Sequence, residues 1–92
     1  MKFISTRGKC FFDNASMAIV KGLADDGGLC VPEFFPCVKE NIVDMLSMDY
    51  AERAAFILSK YLEEYDYNGL LNACKKAYSK FEDSDPAPLI KI

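Results

Sequence analysis

The spacing of hydrophobic positions changes along this chain, dividing it into a turn-rich first third and a helical remainder. Lys2 to Ser5 alternate, with Phe3 and Ser5 on one face and Ile4 on the other. This pattern predicts a short strand that Thr6-Arg7-Gly8 breaks. From Asn14 to Leu23 the positions Ala15, Ala18, Ile19, Gly22 and Leu23 recur at helical spacing, with Asp13 or Asn14 placed to cap the start. Asp25-Asp26-Gly27-Gly28 then stops the helix, because adjacent glycines permit positive φ and close backbone approach. Leu29-Cys30-Val31 reads as a three-residue strand closed by Pro32, and Phe34-Phe35 as part of a structured loop between Pro32 and Pro36.

Val38, Ile42 and Leu46 predict a short amphipathic helix. Asp49 with Glu52 three residues later makes a capping-box pattern that opens a helix running to Leu62 or so. Its stripe is Tyr50, Ala54, Ile57, Leu58, Tyr61 and Leu62. Asn68-Gly69 marks a break before a last helix carrying Leu70, Leu71, Cys74, Ala77, Tyr78 and Phe81. Glu82 to Pro88 is a polar connector. Pro88 to Ile92 reads as a strand cut at the end of the chain, an expectation that the polypeptide continues. The predicted fold class is α+β: about four helices packed with a few short strands from the N-terminus, the Gly-Gly turn region and the C-terminus.

Composition narrows the function classes. Ninety-two residues that are 51% hydrophobic and 27% charged make one domain with a thin core. Wholesale disorder and a bilayer span are both excluded. Eleven basic against fourteen acidic residues give a net charge of −3, and the largest basic cluster is Lys75-Lys76. Neither nucleic acid nor a membrane is therefore expected as a partner. The absence of histidine removes Ser-His and Cys-His mechanisms and imidazole metal sites. Cysteines 10, 30, 37 and 74 lack CxxC spacing, so no metal site is assigned. The N-terminus carries no signal-peptide apolar core, which predicts reduced cysteines and a cytoplasmic location.

Candidate chemistry gathers at two turns. Ser5-Thr6-Arg7-Gly8 sets two hydroxyls, a guanidinium and a glycine at the end of a strand, where they can cradle phosphate or carboxylate. Asp26-Gly27-Gly28 is a second turn whose N–H groups could face a ligand. Neither has the glycine spacing of a phosphate-binding loop, and turn chemistry with a surface arginine accounts for both. The acidic clusters read as solvated helix ends. The lysines lie on loops, on exposed helix faces or in the terminal strand. No catalytic and no cofactor-binding residue is assigned to this segment.

Four segments together resemble the N-terminal domain of threonine synthases. They are Ile4-Ser5-Thr6-Arg7-Gly8, Gly22 to Pro32, Tyr50-Ala51-Glu52-Arg53-Ala54, and the closing Pro88-Leu89-Ile90-Lys91-Ile92. The resemblance covers essentially all of the chain and implies a pyridoxal 5'-phosphate enzyme of the tryptophan-synthase-β type. Such enzymes convert O-phospho-L-homoserine and water to L-threonine and phosphate. It implies further that residues 1–92 are an inactive N-terminal piece, since the cofactor lysine lies in a Phe-Lys-Asp-like motif beyond this domain. The partner would then be the protein's own catalytic domain. Ser5, Thr6, Arg7, Asp26, Gly27 and Gly28 become candidates for the substrate cleft or the interdomain interface. Cys30 departs from the tyrosine usual in that family. The rival expectation is a non-catalytic interaction or regulatory module of the same fold, for which the aromatic loop Glu33-Phe34-Phe35-Pro36 speaks.

Overall fold

The computed structural model describes residues 1–81 and 85–91. Its elements run β1 (Phe3–Ser5), β2 (Phe11–Phe12), α1 (Ala15–Lys21), β3 (Cys30–Pro32), a 3₁₀ turn (Lys39–Asn41), α2 (Ile42–Met45), α3 (Tyr50–Ser59) and α4 (Tyr67–Tyr78). The fold is α+β, as the sequence predicts. The three strands form one antiparallel sheet in the order β2-β1-β3. No described helix is long and apolar enough to cross a membrane.

β1 is the centre of the sheet because turns on both sides return the chain to it. Phe3 faces Phe12 and Pro32 across the ladder, while Ile4 faces Phe11 and Val31. Side chains alternate along a strand, so Phe3 shares one sheet face with Phe12 and Cys30, and Ile4 shares the other with Phe11 and Val31. α1 covers the first face, where Ala15 and Ala18 are buried and line a small cavity together with Phe3, Cys30 and Leu62.

α3 and α4 make the second layer. Tyr50 opens α3 and Tyr78 closes α4, yet their rings meet edge to face at 4.9 Å, so the two helices run antiparallel. Their contact is built on small residues. Ala55 is fully buried beside Leu70 and Cys74, with Ala51, Ala54, Leu62, Leu71 and Tyr78 packed around them. Asp49 accepts from the Glu52 N–H at 2.8 Å and Glu52 returns the bond to the Asp49 N–H, completing the expected capping box. Two contacts tie the layers together: the N-terminal ammonium to Glu63 at 3.0 Å, and the Ser16 hydroxyl to Tyr65 at 3.0 Å.

Several expectations are corrected. α1 stops at Lys21, two residues short of Leu23, because Gly22 takes a φ of 76°. Of the two caps the sequence offers, Asn14 is the one used, accepting from the Met17 N–H. Asn68-Gly69 is no break: Asp66 caps α4 by accepting from the Gly69 N–H, which places both residues inside its first turn. α3 ends at Ser59, not Leu62, and its buried member is Ala55, outside the predicted stripe. α2 is a single turn, and Ile42 and Leu46 are exposed. Residues 88–91 form no strand, since no β-partner lies beside them; Ile92 and residues 82–84 lie outside the described residues. The third strand is β2 instead, from Phe11-Phe12.

The α3–α4 contact predicts an asymmetry between two identical substitutions. Ala55→Leu should destabilise by about 1–3 kcal/mol, because it forces bulk between touching helices. Ala77→Leu, on the exposed side of α4, should change stability by less than about 0.5 kcal/mol. Thermal unfolding of the two variants checks this.

Candidate functional site

The two candidate turns meet. Thr6-Arg7-Gly8-Lys9 joins β1 to β2, closed by the Ser5 N–H to Cys10 carbonyl bond at 2.9 Å and the Gly8 N–H to Ser5 carbonyl bond at 2.9 Å. Gly8 has a φ of 78°, the left-handed geometry this tight return requires. Asp25 to Gly28 makes the second turn, in which the Gly27 N–H donates to the Ala24 carbonyl and the Ala24 N–H to the Gly28 carbonyl. Because β3 pairs with β1, this turn is carried against the first.

Asp26 locks them together. Ser5 Oγ donates to Asp26 Oδ2 at 2.5 Å, the Lys9 N–H donates to the same oxygen at 3.2 Å, and the Gly28 N–H donates to Oδ1 at 2.9 Å. Ser5 Oγ also accepts from the Lys9 and Cys10 N–H groups, both at 3.2 Å, which fills the capacity of a hydroxyl. Ser5 is only 2% exposed, so the residue at the centre of this cluster is enclosed where the strand ends, while Asp26 stays half-buried. Thr6 extends the β1–β3 ladder, its N–H donating to the Leu29 carbonyl at 2.8 Å and its Oγ1 accepting from the Leu29 N–H at 3.0 Å. Arg7 lies across the second turn, with Nη1 donating to the Asp26 carbonyl at 3.2 Å.

The glycines admit this approach. A Cβ on Gly28 would stand 2.9 Å from Thr6 Oγ1, 3.0 Å from Asp26 Oδ1 and 3.1 Å from the Arg7 backbone nitrogen. Gly27 has a φ of 84°, and a Cβ there would press on the Arg7 guanidinium at 3.3 Å. All six residues singled out in the sequence therefore belong to one assembly. Lys9 and Cys10, which supply backbone donors, were missed because β2 was missed. The available signal was a glycine-containing turn followed by the apolar run Cys10-Phe11-Phe12, the pattern of a hairpin.

The Ser5 hydroxyl, then the Gly28 and Lys9 N–H groups and the Cys10 thiol, hold the Asp26 carboxyl below the usual carboxylate range, with partial burial opposing them. Beside the turn, Lys21 pairs with Asp25 at 2.5 Å, and that bond and charge raise its ammonium above the usual lysine value. Both partners are exposed, so the pair contributes little to stability. Neither turn is a phosphate cradle, because the N–H groups of Gly8, Gly27 and Gly28 are already donated within the assembly. Among the described residues no group of three metal-ligating side chains converges. All four cysteines are free thiols.

Two predictions test the assembly. Gly28→Ala should cost about 1–3 kcal/mol, because three neighbours must move to admit the methyl group; chemical denaturation reads this. Asp26→Asn should destabilise at neutral pH, since its amide NH₂ meets donors where the carboxylate accepted. A depressed folded-state pKa adds stability that is complete above the unfolded carboxylate value of about 4 and is lost as pH falls through the folded value. The stability gap between wild type and Asp26→Asn should thus be constant from pH 7 to about 5 and close below pH 4.

Comparison with known proteins agrees with this architecture. The family model for the threonine synthase N terminus matches residues 2–78. The threonine synthase of Methylobacillus glycogenes is 35% identical over 79 residues, covering 85% of this chain and 17% of that protein. That of Pseudomonas aeruginosa is 32% identical over 97 residues, covering 100% of this chain and 20% of its own. Among solved structures, a pyridoxal-phosphate-bound threonine synthase from Brucella melitensis matches with a TM-score of 0.88 and 31% identity, over 99% of this chain and 20% of that one. This chain thus spans 17–20% of the length of these relatives. By family match, sequence and fold alike, it belongs to the threonine synthase N-terminal family.

Proposed function

We propose that residues 1–92 are the N-terminal domain of a cytoplasmic threonine synthase, a longer enzyme that converts O-phospho-L-homoserine and water to L-threonine and phosphate. The observation that carries this reading is the fold match: nearly the whole chain superposes on one fifth of a solved threonine synthase. Pyridoxal phosphate supplies carbanion stabilisation in that chemistry. Its site falls to the remaining four fifths of the protein, since the turns here hold no cradle for it. The 92 residues alone are then inactive.

Within the intact enzyme, this chain contributes Thr6 and Arg7 at the interdomain cleft. Ser5, Asp26, Gly27 and Gly28 serve as the frame beneath them. The Arg7 side chain is exposed and makes one hydrogen bond in the assembly of the two turns, which leaves further donors of a bidentate fork suited to an anionic substrate group. Fixing the guanidinium against Gly27 lowers the ordering cost of such a contact.

The test is the full-length enzyme with O-phospho-L-homoserine, reading phosphate release. Arg7→Ala should lower kcat/KM by about 10–100-fold, the worth of one charge-assisted hydrogen bond. Arg7→Lys should recover part of the loss. An unchanged kcat/KM in Arg7→Ala overturns the substrate contact and leaves Arg7 an interface residue. A full-length protein that releases no phosphate from this substrate overturns the threonine synthase reading itself.

A further inference from the structure

The sheet has two apolar faces and α1 covers only one of them. On the other, Ile4 lies between Phe11 and Val31 in register across the three strands. Leu29, two residues before Val31, extends the same row past the end of β3. Phe11 is 71% exposed and Leu29 59% exposed, with Leu23 beside Leu29 through a β-bridge and 62% exposed. An antiparallel sheet with one wet face carries polar residues there. A row of Phe, Ile, Val and Leu is the pattern of a sheet buried on both sides, and a contiguous apolar patch of this kind marks an interface.

We infer that this outer sheet face docks on the remainder of the longer polypeptide, and that the docking sets Thr6 and Arg7 at the rim of the contact. The inference rests on the reading of the chain as one domain of a longer enzyme. Two observations favour that occupant. The matching solved threonine synthase places this fold within a chain five times as long. The patch is also continuous with the polar assembly, for Leu29 lies in the apolar row while its backbone holds both the N–H and the Oγ1 of Thr6. One surface therefore joins an apolar centre to a polar edge, as buried interfaces do.

Hydroxyl-radical footprinting of the wild-type full-length protein tests this without any variant. Oxidation of Phe11 and Leu29, read by peptide mass spectrometry, is compared between native and urea-unfolded protein. Both side chains should be oxidised at least about tenfold more slowly in the native protein, at every protein concentration. Oxidation at nearly the unfolded rate overturns the inference. Protection that fades on dilution, together with the loss of a dimer, overturns it in favour of a second copy. Phosphate release measured on the same preparation separates the two readings. Turnover without protection removes the docking face alone, whereas protection without turnover keeps the docking face and removes the enzymatic reading.

Discussion

The carboxylate of Asp26 is the interaction on which the first third of the molecule depends. β1 and β3 are three residues each and β2 is two, too short to hold their connecting turns by ladder hydrogen bonds alone. Asp26 supplies what the strands lack by accepting from Ser5, Lys9 and Gly28 at once. Its donors come from both turns, so neither can move without breaking bonds to the other. Ser5 must be a hydroxyl to donate to Asp26 while accepting two N–H groups. Gly28 must lack a side chain to let Thr6 and the carboxylate approach. The residue types at these positions follow from one geometric demand.

The apolar residues are arranged differently. Among the described residues the buried apolar core consists of four alanines, one leucine and one cysteine, while Phe11, Val20, Phe35, Val43 and Leu46 are each more than 70% exposed. Small residues allow α3 and α4 to approach closely, but each buries little area, and at about 25 cal/mol per Å² the gain is correspondingly small. Large apolar side chains that stay in water contribute nothing to the stability of this layer. Exposed apolar side chains of this kind fit the proposed place of the chain within a longer polypeptide, as does its length of one fifth that of its relatives.

Much of this was legible in the sequence because it was locally encoded. The Asp49–Glu52 capping box, the stripe Leu70, Leu71, Cys74 and Tyr78, and the Asp26-Gly27-Gly28 turn each declare themselves within a few residues. The errors arose where tertiary context decided the outcome. β2 is two residues long and exists only because β1 lies beside it. The pair Asn68-Gly69 has the composition of a turn, yet Asp66 at the cap gives the Gly69 N–H an acceptor and draws both residues into the helix. Val38, Ile42 and Leu46 have helical spacing, but amphipathic spacing stabilises a helix only when its apolar side finds a partner. The convergence of Ser5 with Asp26, 21 residues apart, was beyond periodicity altogether. It could be reached only by recognising the two segments as parts of a single pattern.

The same hydrogen-bond accounting narrows what the turns can offer a ligand. Ser5 has no capacity left, Asp26 already accepts three donors from the assembly, and the N–H groups of Gly8, Gly27 and Gly28 are spent. Within this assembly the hydroxyl proton of Thr6 and the outer edge of the Arg7 guanidinium remain. A loop rich in polar residues has thus been reduced to two functional groups, each held in place by a backbone hydrogen bond to the opposite turn. Such an arrangement is poor at enclosing a phosphate by itself and well suited to presenting a fixed guanidinium to a cleft whose other wall is supplied elsewhere. On the proposed reading, the stability invested in the frame would bear on chemistry without any member of the frame reaching the substrate.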